Sequence, residues 1–125
     1  MVKKYFYFLP ALLYYSLVFF VSSQSLSFSM PVRVTDKIPH VLEFMVMGAL
    51  LALGYFHVVP PPARLSIVLT FLTGTLLGAL DEFHQKFVAG RVSDPRDAAA
   101  DAVGVALGIA VYWYWQRKKE KRQAA

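Results

Sequence analysis

The sequence predicts an all-α membrane protein, an antiparallel bundle of four transmembrane helices forming a single domain over residues 1–125. Three observations predict it. Four apolar stretches each approach the roughly 20 residues that a helix needs to cross a hydrocarbon core about 30 Å thick. With 57% hydrophobic and 17% charged residues and a mean hydropathy of +0.46, the chain is too apolar for an ordinary soluble domain. The connections are short, so consecutive helices are antiparallel neighbours.

The first span, 5–22, follows Lys3 and Lys4 and ends at the polar run Ser22-Ser23-Gln24-Ser25. A cleaved signal peptide is the competing reading, but its apolar core is usually only about 7–15 residues long. The second span, 39–59, opens on Pro39, a residue suited to a first helical turn, and is stopped by Pro60, Pro61 and Pro62. The third covers 63–84 and the fourth 97–115, which leaves 116–125 as a basic cytoplasmic tail. Tyr5 and Tyr7 open the first span, and the run Tyr112-Trp113-Tyr114-Trp115 closes the fourth, as interfacial aromatics do.

Of the 13 Lys and Arg residues, eight fall on the side of the termini and the second loop, and five on the other side. The positive-inside bias therefore puts both termini in the cytoplasm and makes the chain a multi-pass protein of the cell membrane. The net charge of +5 and pI near 9.6 reflect this flanking pattern. No basic stripe, recognition helix or aromatic strand platform is readable, so nucleic acid is not an expected partner. The absence of cysteine excludes disulfides and thiolate chemistry.

The acids are distributed unevenly. Asp36, Glu43, Asp81, Glu82, Asp94, Asp97 and Asp101 all lie in or beside the two loops assigned to the extracytoplasmic face, and only Glu120 lies in the tail. Topology does not demand this, since acids contribute little to orientation. His40 and Glu43 share a face of the second helix. In the third, Gly74 and Gly78 form a small-residue stripe that Glu82 continues at the same spacing; in the fourth, Asp97 and Asp101 precede Gly104 and Gly108. The glycines allow close helix approach, so the acids converge at one end of the bundle. In the segment between, Arg91 has the planar fork that clamps a carboxylate or phosphate oxygen pair.

Together these residues resemble the VanZ-like family, named for an accessory factor in resistance to the glycopeptide antibiotic teicoplanin. The likeness rests on Ser22-Ser23-Gln24, Asp36-Lys37-x-x-His40, Asp81-Glu82-x-x-Gln85-x-Phe87 with Gly90-Arg91, and Asp97-x-x-x-Asp101-x-x-Gly104-x-x-x-Gly108. It covers most of the chain. Glu43 stands where the family often has an aromatic residue and Asp101 where it commonly has Asn, and both changes add acid to the site. The resemblance implies a bacterial envelope protein and carries a link to glycopeptide resistance.

Three functions are compatible with the pattern. In the first, Gln24, Lys37, His40, Glu43, Asp81, Glu82, Gln85, Arg91, Asp97 and Asp101 bind the head group of a membrane lipid or lipid-linked cell-wall precursor. In the second, a membrane-embedded hydrolase or transferase uses Glu82, Asp97, Asp101 and His40 as catalytic groups, with His40, Glu43, Glu82 and Asp97 as candidate ligands for a divalent cation. The third is a small proton-coupled transporter, for which four short spans leave little room unless the chain forms a homo-oligomer. Against all three stands a purely structural use of the charges, in which the acids pair with Arg91, Arg96 and Lys37 and fix helix register.

Overall fold

The computed structural model describes residues 2–25 and 37–124, and every element among them is helical. Residues Val2–Phe8 wind as a 3-10 helix that passes into α1, Leu9–Ser22. The change of winding follows from Pro10, the second residue of α1. Its ring clashes with the carbonyl four residues back and it has no N–H to give, so the preceding turn tightens. The single α-helix expected from residue 5 is therefore two kinds of helix.

α2 spans Lys37–Val58 and starts two residues before the expected boundary. Pro39 falls in its first turn, where backbone N–H groups have no helical acceptor in any case. α3 covers Ala63–Gln85 after the proline run. α4, Pro95–Gln123, is longer than expected at both ends. It begins where Asp94 accepts the Arg96 backbone N–H at 2.9 Å, with Pro95 at the first helical position. At the other end the basic residues read as a tail continue the helix. Lys, Arg, Glu and Gln are good helix formers, and cations suit a helix C-terminus. Arg117 and Lys119 also lie over the rings of Trp113 and Trp115 one turn back, at 4.8 and 5.6 Å.

All four segments are long and apolar enough to cross a membrane, which makes the chain an all-α bundle of four transmembrane helices. α2 and α4 share the most extensive contact. Their backbones touch because glycine leaves the space: a Cβ on Gly104 would press into the Val41 carbonyl and lie 3.0 Å from the Met45 nitrogen, and one on Gly108 would meet the Met45 carbonyl. The small-residue stripe of α3 has the same use, with Gly78 packed on the Asp101 side chain. Phe44, Met47, Leu51, Val105 and Ile109 form the core, joined from α1 by Ala11 and Val18. Leu13, Phe20, Leu72 and Leu76 point outward and are about 60% exposed, the surface that lipid covers.

Candidate functional site

Three helices deliver ionisable groups to the end of the bundle that carries the α3–α4 loop. Lys37 and His40 lie in the first turn of α2, Glu82 in the last turn of α3, and Asp97 and Asp101 in the first two turns of α4. Lys37 Nζ binds Asp94 at 3.3 Å and forms a second, shorter ion pair with Asp97. His40 reaches α4 with both ring nitrogens, Nδ1 lying 3.0 Å from Asp101 Oδ1 and Nε2 lying 3.8 Å from Asp97 Oδ2. Glu82 Oε2 accepts the Asp94 backbone N–H at 3.2 Å. The close approach at Gly78 and Gly104 is what brings Asp101 this near to α3 and α2.

This arrangement is not a closed set of pairs. Asp101 is fully buried and Glu82 is 5% exposed, yet Asp101 Oδ2 and Glu82 Oε1 have no hydrogen-bond partner among the described residues. Buried polar atoms are nearly always paired, so two orphaned carboxylate oxygens in one cluster are costly as they stand. His40, Glu82 and Asp101 each bring one potential ligand atom within 4.8 Å of the others. Asp94 sits at the rim outside the span. Donation from the Arg96 backbone N–H holds its carboxyl below the usual value, with the Arg96 side chain and Lys37 acting in the same direction.

The other expected residues go elsewhere, each for a local reason. Glu43, three residues from His40, turns toward α1 and lines a separate cavity of about 240 Å³ with Tyr14, Leu17, Val18 and Val21. It does not join the group of potential metal ligands, and neither does Asp97; Asp101, expected as a catalytic and ligand-binding residue, completes that group instead. Asp81 and Gln85 form a second, internally satisfied network. Ser22 Oγ donates to Asp81 Oδ1 at 2.6 Å and Gln85 Nε2 donates to Asp81 Oδ2 at 2.8 Å. Arg91 clamps no acid among the described residues: its guanidinium donates to the Gln24 and Val21 carbonyls and caps α1. The Gln24 side chain folds back to the Phe20 carbonyl of α1. Arg96 pairs with the exposed side of Asp94. Asp36 lies outside the described residues.

The polar run after α1, read as a helix stop, is also an anchor, since Ser22 holds Asp81 and Ser23 Oγ lies 3.0 Å from His84 Nε2. Only the shared depth of these residues at the same end of antiparallel spans hinted at such contacts. Asp94, which the sequence pattern left without a site role, carries a helix-start signature in its position before Pro95.

A cavity of about 480 Å³ opens between α3 and α4 beside this cluster. Glu82, Lys86 and Ser93 give it a polar side, and Ala79, Phe83 and Ala98 an apolar one.

No curated protein and no solved structure gives a match to the chain. The family described as VanZ/LLP1 matches residues 3–116, a stretch that takes in all four spans and every residue of the polar cluster. On that match, the chain belongs to the VanZ/LLP1 family.

Proposed function

We propose that this protein binds the polar head group of an envelope lipid or lipid-linked cell-wall precursor at the membrane boundary, in the cavity between α3 and α4. The observation that supports this reading is the two-sided lining. Ala79, Phe83 and Ala98 offer an apolar wall, while Lys86, Ser93 and Glu82 offer a polar one beside the α3–α4 loop. A lipid has the same division along its length. Lys86 holds anionic oxygens in this reading, and Ser93 engages hydroxyl or amide groups. Arg91, an expected clamp, is committed to α1 and has no part.

The positive-inside bias puts this end on the extracytoplasmic side, where cell-wall precursors are consumed. The chain has no cysteine, so Val92→Cys, at a position 84% exposed, gives a single label site. A membrane-impermeant thiol reagent applied to intact cells should label it. Lipid mass spectrometry of the purified protein should then show an enriched anionic or lipid-linked species that Lys86→Ala and Ser93→Ala deplete and Arg91→Ala retains. An unchanged lipid profile in the first two variants refutes the reading.

A second reading, a membrane-embedded hydrolase or transferase acting on the same lipid, draws support from His40 standing between Asp97 and Asp101 beside Glu82.

A further inference from the structure

We infer that His40, Glu82 and Asp101 form a binding site for one divalent transition-metal ion of the Zn²⁺ or Mn²⁺ class. The lipid reading is not needed for it.

The donor set decides the class of ion. One imidazole nitrogen and two carboxylates suit borderline ions, whereas Mg²⁺ and Ca²⁺ prefer oxygen alone. The three donors come from α2, α3 and α4, and one ligand atom from each lies within 4.8 Å of the other two. Donors around Zn²⁺ sit roughly 2.0–2.2 Å from the ion, so small side-chain rotations close the set.

Acidic residues alone would not carry this assignment. The independent observation is the pair of orphaned oxygens, Asp101 Oδ2 and Glu82 Oε1, on side chains 0% and 5% exposed. In each carboxylate the other oxygen is already in use: Asp101 Oδ1 faces His40 Nδ1, and Glu82 Oε2 accepts the Asp94 N–H. Glu82 is thus held by one oxygen and presents the other, and for Asp101 an ion on His40 Nδ1 would replace the Nδ1–Asp101 hydrogen bond with a bond to the carboxylate. A cation placed between them removes the cost of burying both.

The surroundings have the form of an outer shell. A metal-bound histidine usually donates its second ring nitrogen to a carboxylate, which fixes the ring and raises its basicity. With Nδ1 on the ion, His40 Nε2 faces Asp97 Oδ2 at 3.8 Å, and Asp97 is itself held by Lys37. Asp97 is therefore a positioning residue, and not a ligand. Glu82 also lines the cavity of about 480 Å³, which offers the ion an entry path.

The test uses the full-length protein in detergent, stripped with chelator and titrated with ZnCl₂ and MnCl₂ separately. Bound metal is counted by mass spectrometry and affinity is measured by calorimetry. One ion per chain is expected. Asp101→Asn, Glu82→Gln and His40→Ala should each weaken binding at least tenfold and abolish the metal-dependent rise in thermal midpoint, while Asp97→Asn should weaken it about tenfold without changing the count. Arg91→Ala should bind as wild type. Two outcomes overturn the assignment. In one, wild type takes up neither ion and its thermal midpoint ignores both metal and chelator, so the cluster is only a His40–Asp101 pair. In the other, uptake survives all three ligand substitutions, which puts the ion elsewhere. Because no lipid enters these measurements, their failure leaves the lipid reading standing, and an unchanged lipid profile leaves the ion site standing.

Discussion

Gly104→Ala tests the link between helix packing and the polar cluster. A Cβ at this position would press into the Val41 carbonyl and lie 3.0 and 3.1 Å from the Met45 nitrogen and Phe44 carbonyl carbon, all backbone atoms that cannot rotate away. Restoring ordinary contact distances requires α2 and α4 to part by about 1 Å, an overpacking strain worth about 1–3 kcal/mol. Gly104 lies one turn below Asp101, and Val41 follows His40, so the same displacement opens the His40–Asp101 contact. That contact would lengthen from 3.0 Å to about 4 Å, beyond hydrogen-bond range. Equilibrium unfolding in mixed detergent, titrated with SDS, measures the loss. Ala106→Leu, on an exposed face of α4, is the control and should stay within about 0.5 kcal/mol of wild type. In a His40→Ala background, Gly104→Ala should cost less, because the contact it breaks is already gone. A Gly104→Ala protein as stable as wild type would refute the backbone contact. Strict additivity with His40→Ala would refute its connection to the site.

Two further outcomes are expected. Ser22→Ala removes the donor to a buried Asp81 oxygen and should lower stability by about 1–3 kcal/mol in the same titration, with a smaller loss when Asp81 is also Ala. Asp94, whose carboxyl is held below its usual value in the folded chain, binds fewer protons folded than unfolded across the acid range. Its contribution is complete above the ordinary carboxylate value and is lost as pH falls through the depressed one. The stability difference between wild type and Asp94→Ala should therefore shrink on acidification, and a difference that grows would reverse the assignment.

The spans were legible because hydrophobic length is a local property, and the bilayer imposes it on each helix separately. Their ends were less so. Pro10 signals a break in α winding, and the Lys/Arg/Glu composition after Trp115 signals continued helix, but both are weak beside the apolar pattern. The convergence of Lys37, His40, Glu82, Asp97 and Asp101 could be read from depth and glycine spacing, since closely packed helices bring together whatever residues share a level. Direction around the helix was harder. His40 and Glu43 are three residues apart, yet one faces α4 and the other a cavity against α1. Spacing defines a face about 60° wide, and a helix with neighbours on both sides divides it. A loop cation such as Arg91 has many reachable acceptors, and here the free carbonyls ending α1 take its donors.

The contacts joining α2 to α4 also constrain the order of assembly. Lys37 and His40 meet Asp97 and Asp101 across 60 and 61 residues of sequence. As the chain is made from its N-terminus, α2 enters the bilayer well before its acidic partners exist. The His40–Asp101 contact can form only once the final span is in place, and Asp101 leaves water more cheaply when it meets that imidazole. A chain truncated before α4 would keep three apolar spans and none of this cross-link, so insertion and completion of the polar cluster are separate events, the second dependent on the last helix made.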